Sequence, residues 1–289
     1  QGGVMTSISK LLLVPASAVV ILILTAFSGN DDETAWKFED IRLIKVKTLS
    51  GDCIIEKGKT GEVGVNVVKG YNPRKACRTL VRHDGETLEI TEEITGTGSG
   101  RSTIWTLYVP DDIEVEFFST SGGMKISDVK GKFSGQTASG SYELTNCEGK
   151  FAFNTASGDY DIRNCRGMFK ISSASGDIDA VGLEVDARSS LASASGNVKV
   201  TVGKTPEYDL NVGSASGRAV LDYDGNSLEG YFEFEANART GDIDSPIDFD
   251  DEETFYKNKQ RYVRKWFVRG NDKPEITIGT GSGRVALKE

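Results

Sequence analysis

The side chains able to do chemistry in this chain fall into a few groups, and spacing decides what each could do. Carboxylates come in alternate-residue pairs, Asp159 with Asp161, Asp177 with Asp179 and Asp242 with Asp244, each just after a Ser-Gly or Thr-Gly phrase. A column of such pairs offers oxygens of the kind Ca²⁺ takes, about six to eight at a time. Ser141, Asn197 and Arg218 interrupt that column, however, and the glycine-rich nonapeptide of calcium-binding β-rolls is missing. A solvated turn edge is therefore expected, and no metal or other cofactor is assigned. The run Asp248, Asp250, Asp251, Glu252, Glu253 reads the same way. Glycan cleavage, as on polysaccharide-cleaving parallel β-helices, would need an acid and a base with tuned pKa values on one face. Strand alternation instead exposes carboxylates on every solvent face. The serines of the repeated phrase lack a recurring base, and the chain has one histidine, His83. A non-catalytic protein is expected, with a polysaccharide-active enzyme as the weaker alternative.

Two further groups stand out. Cys147 in Asn-Cys-Glu-Gly and Cys165 in Asn-Cys-Arg-Gly hold the same place 18 residues apart. If successive units stack, neighbouring strands put their Cα atoms about 4.8 Å apart, inside the roughly 4.4–6.8 Å window of a disulfide. A Cys147–Cys165 bridge is expected, with Cys53 and Cys77 paired by elimination; the alternative is reduced, buried thiols. Neither a C-x-x-C motif nor a Cys/His cluster supports zinc. The second group is the segment from Phe255 to Arg269, which interleaves aromatic and basic residues directly after the acidic run. Tyr262, Arg264, Trp266 and Arg269 are a candidate contact patch for an anionic envelope polymer, a surface ligand or another protein. The other reading of this segment is an edge strand that covers the side or end of a sheet.

The elements that position these residues follow from a repeat. Ser-Gly returns at Ser121-Gly122, Ser139-Gly140, Ser157-Gly158 and Ser175-Gly176, at intervals of 18, and then at Ser195-Gly196, Ser216-Gly217 and Thr240-Gly241, at intervals of 20, 21 and 24. It appears once more at Ser282-Gly283 after an insertion. Within the unit Thr155–Ser172, Tyr160 and Ile162 alternate with Asp159, Asp161 and Arg163; Asn164 to Gly167 supply a turn; then Phe169 and Ile171 alternate with Lys170 and Ser172. Period-2 alternation on both sides of a turn predicts two half-buried strands per unit. Units too small to bury their own apolar faces must stack. The predicted fold is all-β: a β-solenoid of two-strand coils, about 18–21 residues each as the Ser-Gly intervals give, with small corner residues closing each coil. Ser50-Gly51-Asp52-Cys53-Ile54-Ile55 replays the phrase in a less regular opening stretch, and the segment from Glu275 to Leu287 reads as one final coil. The expected organisation is an N-terminal segment over 1–33, then one solenoid over 34–289. That solenoid has irregular opening coils at 34–118, regular repeats at 119–245, and an insertion with a closing coil at 246–289.

Residues 1–33 predict a hydrophobic helix. Lys10 precedes an apolar run from Leu11 to Phe27, after which Asn30-Asp31-Asp32-Glu33 turns polar. Three readings stand: a cleaved signal peptide with Ala26-Phe27-Ser28 at the cleavage site, an uncleaved membrane anchor, or a pilin-like assembly helix. Each places the body outside the cytoplasm, at the cell surface, in the periplasm or secreted. The membrane is a partner through this helix if it is retained, and self-association is a further possibility. A net charge of −9 argues against a nucleic-acid partner.

Tyr108-Val109-Pro110 before an acidic turn, the successive Ser-Gly repeats, and the closing Pro274-Glu275-Ile276-Thr277-Ile278 with Thr280-Gly281-Ser282-Gly283 together resemble the toast-rack family of adhesin-like β-strand-repeat domains. The resemblance spans about residues 36 to 289. It implies an exported or membrane-anchored envelope protein with a β-solenoid domain, and supplies no catalytic motif. The expected function is a non-catalytic extracytoplasmic solenoid for adhesion or envelope contacts. The alternative is a structural subunit of a filament assembled through the N-terminal helix.

Overall fold

The computed structural model describes residues 33–69, 71–72, 77–94, 99–100 and 103–289, and these form an all-β body. Among the described residues no helix is long and apolar enough to cross a membrane. The predicted N-terminal helix falls on residues outside the described ones, and Glu33 already opens a strand, Glu33–Glu39.

In the regular region each unit contributes one strand to each of two parallel sheets. On one side Lys130–Thr137 pairs with Glu148–Thr155, which pairs with Arg166–Ser173. On the other, Met124–Ser127, Tyr142–Thr145, Tyr160–Arg163 and Ile178–Val185 lie side by side. The register follows the Ser-Gly intervals. Phe133, Phe151 and Phe169 align at offsets of 18, while Lys170 meets Ser190 and Ser190 meets Asn211, offsets of 20 and 21.

Alternation sets the inside. Tyr142, Leu144, Tyr160 and Ile162 are buried, whereas Glu143 and Asp161 face solvent. Because like residues stack on like, the core contains aromatic ladders: Phe133 on Phe151 at 5.8 Å between ring centroids, Phe151 on Phe169 at 5.2 Å, and Tyr142 on Tyr160 at 5.2 Å. Such pairs add to area burial by about 0.5–1.5 kcal/mol each. The tighter corners turn through Asp128, Asn146 and Asn164, whose φ values of 58°, 54° and 51° lie in the left-handed region that Asn and Asp tolerate best after glycine.

Both ends depart from sequential stacking. The coil made of Leu43–Lys47 and Asp52–Lys57 does not lie at the end of the stack. It sits between the Ile113–Ser119/Met124–Ser127 coil and an outer layer formed by Thr87–Ile94 and Ile104–Val109. Antiparallel strands Cys77–Asp84, Glu62–Val68 and Glu33–Glu39 close that end. At the other end, Glu275–Thr280 is inserted between Leu210–Ser214 and Gly230–Asn237, and Arg284–Lys288 between Ala219–Asp222 and Asp242–Asp244. The closing coil is thus last in the chain but interior in the stack. Gln260–Arg269 pairs antiparallel with Gly230–Asn237 on one side and with Asp251–Lys257 on the other. The edge strand here is Asp251–Lys257, whose Asp251, Glu252 and Glu253 place charge on an edge that would otherwise accept another chain.

Candidate functional site

The polar columns on the regular coils are occupied with holding the coils together. In each corner the hydroxyl three residues before glycine donates to the preceding coil and accepts from its own glycine. Ser173 Oγ donates to Gly158 O at 3.2 Å and accepts from Gly176 N at 2.7 Å, with Thr155, Ser193 and Ser214 repeating the arrangement. The serines of the Ser-Gly phrase itself, such as Ser157, Ser175 and Ser195, point to solvent. The acidic column is equally engaged. Asp159 Oδ1 accepts from Asp177 N at 2.8 Å and Asp177 Oδ1 from Asn197 N at 2.6 Å, each carboxylate capping the next coil. Their companions are ion-paired, Asp161 and Asp179 with Arg163 at 2.5 and 3.0 Å, and Asp242 and Asp244 with Arg284. Among the described residues no group of three or more His, Cys, Asp or Glu converges for a metal.

The cysteines depart from expectation. All four are free and buried; neither Cys147–Cys165 nor Cys53–Cys77 is bonded. Cys147 and Cys165 do stand in the predicted neighbouring positions, but each thiol points to main-chain carbonyls. Cys147 Sγ donates to Thr145 O at 3.1 Å and Cys165 Sγ to Arg163 O at 3.3 Å, while Cys147 N donates to Cys165 Sγ at 3.4 Å. The contact between the thiols holds Cys147 below and Cys165 above the ordinary thiol range, with burial adding to the rise at Cys165. Cys53 is pushed up by burial and by Asp52, so its thiolate is disfavoured. Cys77 meets Glu92 and Thr103 at 3.5 and 3.7 Å instead of Cys53. Glu92 is buried and also accepts from Leu49 N, Ser50 N and Gly51 N at 3.0, 3.2 and 3.2 Å. Here a carboxylate substitutes for the usual corner hydroxyl, which the repeat pattern does not foretell. His83 lies against Phe38 and contacts Gly85 O in its hairpin turn.

The aromatic and basic segment forms the hairpin of Asp251–Lys257 and Gln260–Arg269, and the structure divides the predicted contact patch. Arg264 is enclosed by carboxylates: Glu253 at 2.9 Å, Glu235 at 3.6 Å, and Glu233 at 3.2 Å from Nε but off the hydrogen-bonding direction, with its guanidinium 4.7 Å from the Phe255 ring centre. Arg269 donates to Val268 O and lies over Phe267. Trp266 is half-buried, in register between Glu233 and Asp251. The acidic run is likewise engaged: Glu252 pairs with Lys265 at 2.8 Å and Asp250 accepts from Val268 N at 2.8 Å.

Tyr262 alone of the four lines a cleft. This cavity, about 930 Å³, opens between the hairpin tip and the corner column, with Arg239, Lys259 and Arg261 around it and Ser216, Thr240 and Ser282 among its walls. Ser216 and Ser282 come together because Ser214 pairs with Thr280. Arg239 and Thr240 sit in a turn fixed by buried Asn237, whose Oδ1 accepts from Arg239 N at 3.0 Å and Thr240 N at 3.3 Å. Sequence reading placed Lys259 and Arg261 in the aromatic and basic segment without singling them out, and missed Arg239. The available signal was Asn258-Lys259, a two-residue turn with a lysine where glycine is the favoured choice.

A scan of family models matches residues 41–288 to the family described as Toastrack DUF4097. A search of the curated proteins finds no match. Among solved structures, an adhesin candidate from Bacteroides fragilis is 12% identical, with 90% of this chain and 97% of that one covered and a TM-score of 0.42. An adhesin candidate from Parabacteroides merdae is 11% identical, with coverages of 90% and 98% and a TM-score of 0.35. A cell adhesion protein candidate from Clostridium sporogenes is 11% identical, with coverages of 89% and 98% and a TM-score of 0.25.

Proposed function

This chain belongs to the Toastrack DUF4097 family, and from that premise we propose that it is a non-catalytic, extracytoplasmic solenoid that makes adhesive or envelope contacts. The observation that carries the reading is the division of labour among polar groups. Along the regular coils, corner hydroxyls and first-position aspartates bond coil to coil, which suits a stiff spacer. At the far end a cleft keeps cations without acidic partners, which suits a contact surface. Extracytoplasmic placement rests on the apolar run before Asn30; the four free thiols add nothing to it. The filament alternative rests on the same run.

The test is sedimentation of the purified full chain with insoluble cell-envelope material, alongside turnover assays on soluble glycans. Saturable co-sedimentation without glycan fragmentation is the expected result. Fragmentation abolished by neutralising one carboxylate would replace the reading with an enzymatic one, and absence of any binding would sink it.

A further inference from the structure

We propose that the cleft between the hairpin tip and the Ser-Gly corner column binds an acidic segment of a polysaccharide, with Arg239, Lys259 and Arg261 holding its anionic groups. The proposal deepens the contact reading above and rests on it.

Size is the first argument. About 930 Å³ is near the upper end of the roughly 300–1,000 Å³ usual for ligand sites, enough for more than a single small anion. Charge is the second. The chain carries a net −9, yet no acidic side chain lines this cleft. Nearby cations are neutralised: Lys257 by Glu235 at 3.0 Å, Lys265 by Glu252 at 2.8 Å, and Arg264 by Glu253 and its neighbours. Arg239, Lys259 and Arg261 form no ion pair and stack on no ring among the described residues, and all three are exposed. An unpaired trio around a concavity in an acidic protein is a local sink for negative charge.

Preorganisation is the third argument. Asn237 fixes the backbone that carries Arg239 and also donates to Gln260 Oε1 at 3.4 Å, tying that turn to the hairpin tip. Ala238 N donates to Arg261 O at 2.8 Å, which fixes the strand carrying Arg261. Lys259 is held at φ 63°, beside Asn258 at φ 51°. A two-residue turn of this kind is least strained as Asn-Gly. Placing lysine there sacrifices some turn stability and sets a cation at the cleft rim.

The lining also selects among anions. Ser216, Thr240 and Ser282 hydroxyls and the Gln260 amide suit a hydroxyl-rich ligand, whereas the Tyr262 ring is taken up by Phe255 and Lys257. The acidic body repels a long, densely charged polymer, so acidic groups spaced along a sugar chain fit better than nucleic acid or polyphosphate.

The experiment is calorimetric titration of the full chain with oligogalacturonate, sulfated chondroitin oligosaccharide, a neutral galactan oligosaccharide and oligoglutamate. The expected result is saturable binding to an acidic oligosaccharide and none to the neutral one, and the two acidic sugars distinguish a carboxylate from a sulfate ligand. Lys259→Gly relieves the turn and keeps the fold; Arg239→Gln and Arg261→Gln are exposed changes. Each should weaken binding by about tenfold or more, as loss of a charge-assisted hydrogen bond implies. Unchanged affinity in all three variants, no binding to either acidic sugar, or equal binding of oligoglutamate would overturn the proposal. If the triple variant still co-sediments with envelope material as the native chain does, the cleft is refuted while the wider contact function stands. If the native chain does not co-sediment, the wider function fails.

Discussion

Tyr142 and Tyr160 hold the same place in successive coils and stack on one another, yet their hydroxyls have different surroundings. Tyr160 donates to Ser172 O at 2.8 Å, whereas the Tyr142 hydroxyl is buried without a hydrogen-bond partner. An unsatisfied buried hydroxyl costs about 1–3 kcal/mol, and a satisfied one contributes about 1 kcal/mol. Tyr142→Phe is therefore expected to leave stability unchanged or raise it by about 1 kcal/mol, and Tyr160→Phe to lower it by about 1 kcal/mol. Urea denaturation of the two variants reads the contrast, and equal losses would contradict it. The cysteines give a second prediction at this scale. Thiol labelling in native buffer should be negligible and should reach all four sites on unfolding; an intact mass showing paired cysteines would contradict the structure. The register of Cys147 and Cys165 was legible in the sequence because the 18-residue period is local arithmetic. Their bonding state was not, because it depends on where each Sγ points and which carbonyl receives it.

At the scale of the element, the coil corner is the most constrained part. Gly158 lies directly beneath the Gly140 carbonyl of the preceding coil, and any Cβ there would collide with that oxygen. Overpacking of this kind costs about 1–3 kcal/mol, sometimes more. Gly158→Ala should fall at or above the top of that range, because the obstacle is main chain shared by adjacent coils and cannot rotate away. A shift in the urea midpoint below that size would show that the corner can open. Strand positions and parallel register were readable from period-2 alternation and repeat spacing. The hairpin of 251–269 was readable only in part. Its alternating faces were visible, but its antiparallel partners come from strands such as Gly230–Asn237, and sequence spacing does not reveal that Glu233 and Glu235 would enclose Arg264. The basic cleft escaped for the same reason, since it joins residues 215–216, 237–240, 259–262 and 281–282.

At the scale of the whole molecule, coils stacked in chain order and the coil inserted between earlier ones should respond differently to deletion. Deleting residues 148–165 joins equivalent positions, so Lys130–Thr137 would meet Arg166–Ser173 in the same register. The fold should survive with cooperative unfolding and a modest loss, part of it from replacing the Lys130–Glu148 ion pair by Lys130 beside Arg166. Removing residues 271–289 takes away a coil from inside the stack, so Leu210–Ser214, Ala219–Asp222 and Gly230–Asn237 each lose the partner on one edge and Asp242–Asp244 loses its partner strand. That variant should lose cooperative unfolding or become insoluble, and circular dichroism with sedimentation compares the two. Similar behaviour of both deletions would refute the asymmetry.

The interior place of the 275–288 coil also sets an order in time. As the chain is made, coils from residue 113 to 222 can add one upon the next, but strands 230–237 and 260–269, which pair with each other, have no strand linking them to that stack until residues 275–280 follow and take their place between 210–214 and 230–237. Closure is thus a late, long-range event, of the kind that folds slowly and leaves strand edges exposed while it waits. A chain interrupted before residue 275 keeps the 210–214 edge open, a strand edge of the kind on which chains associate.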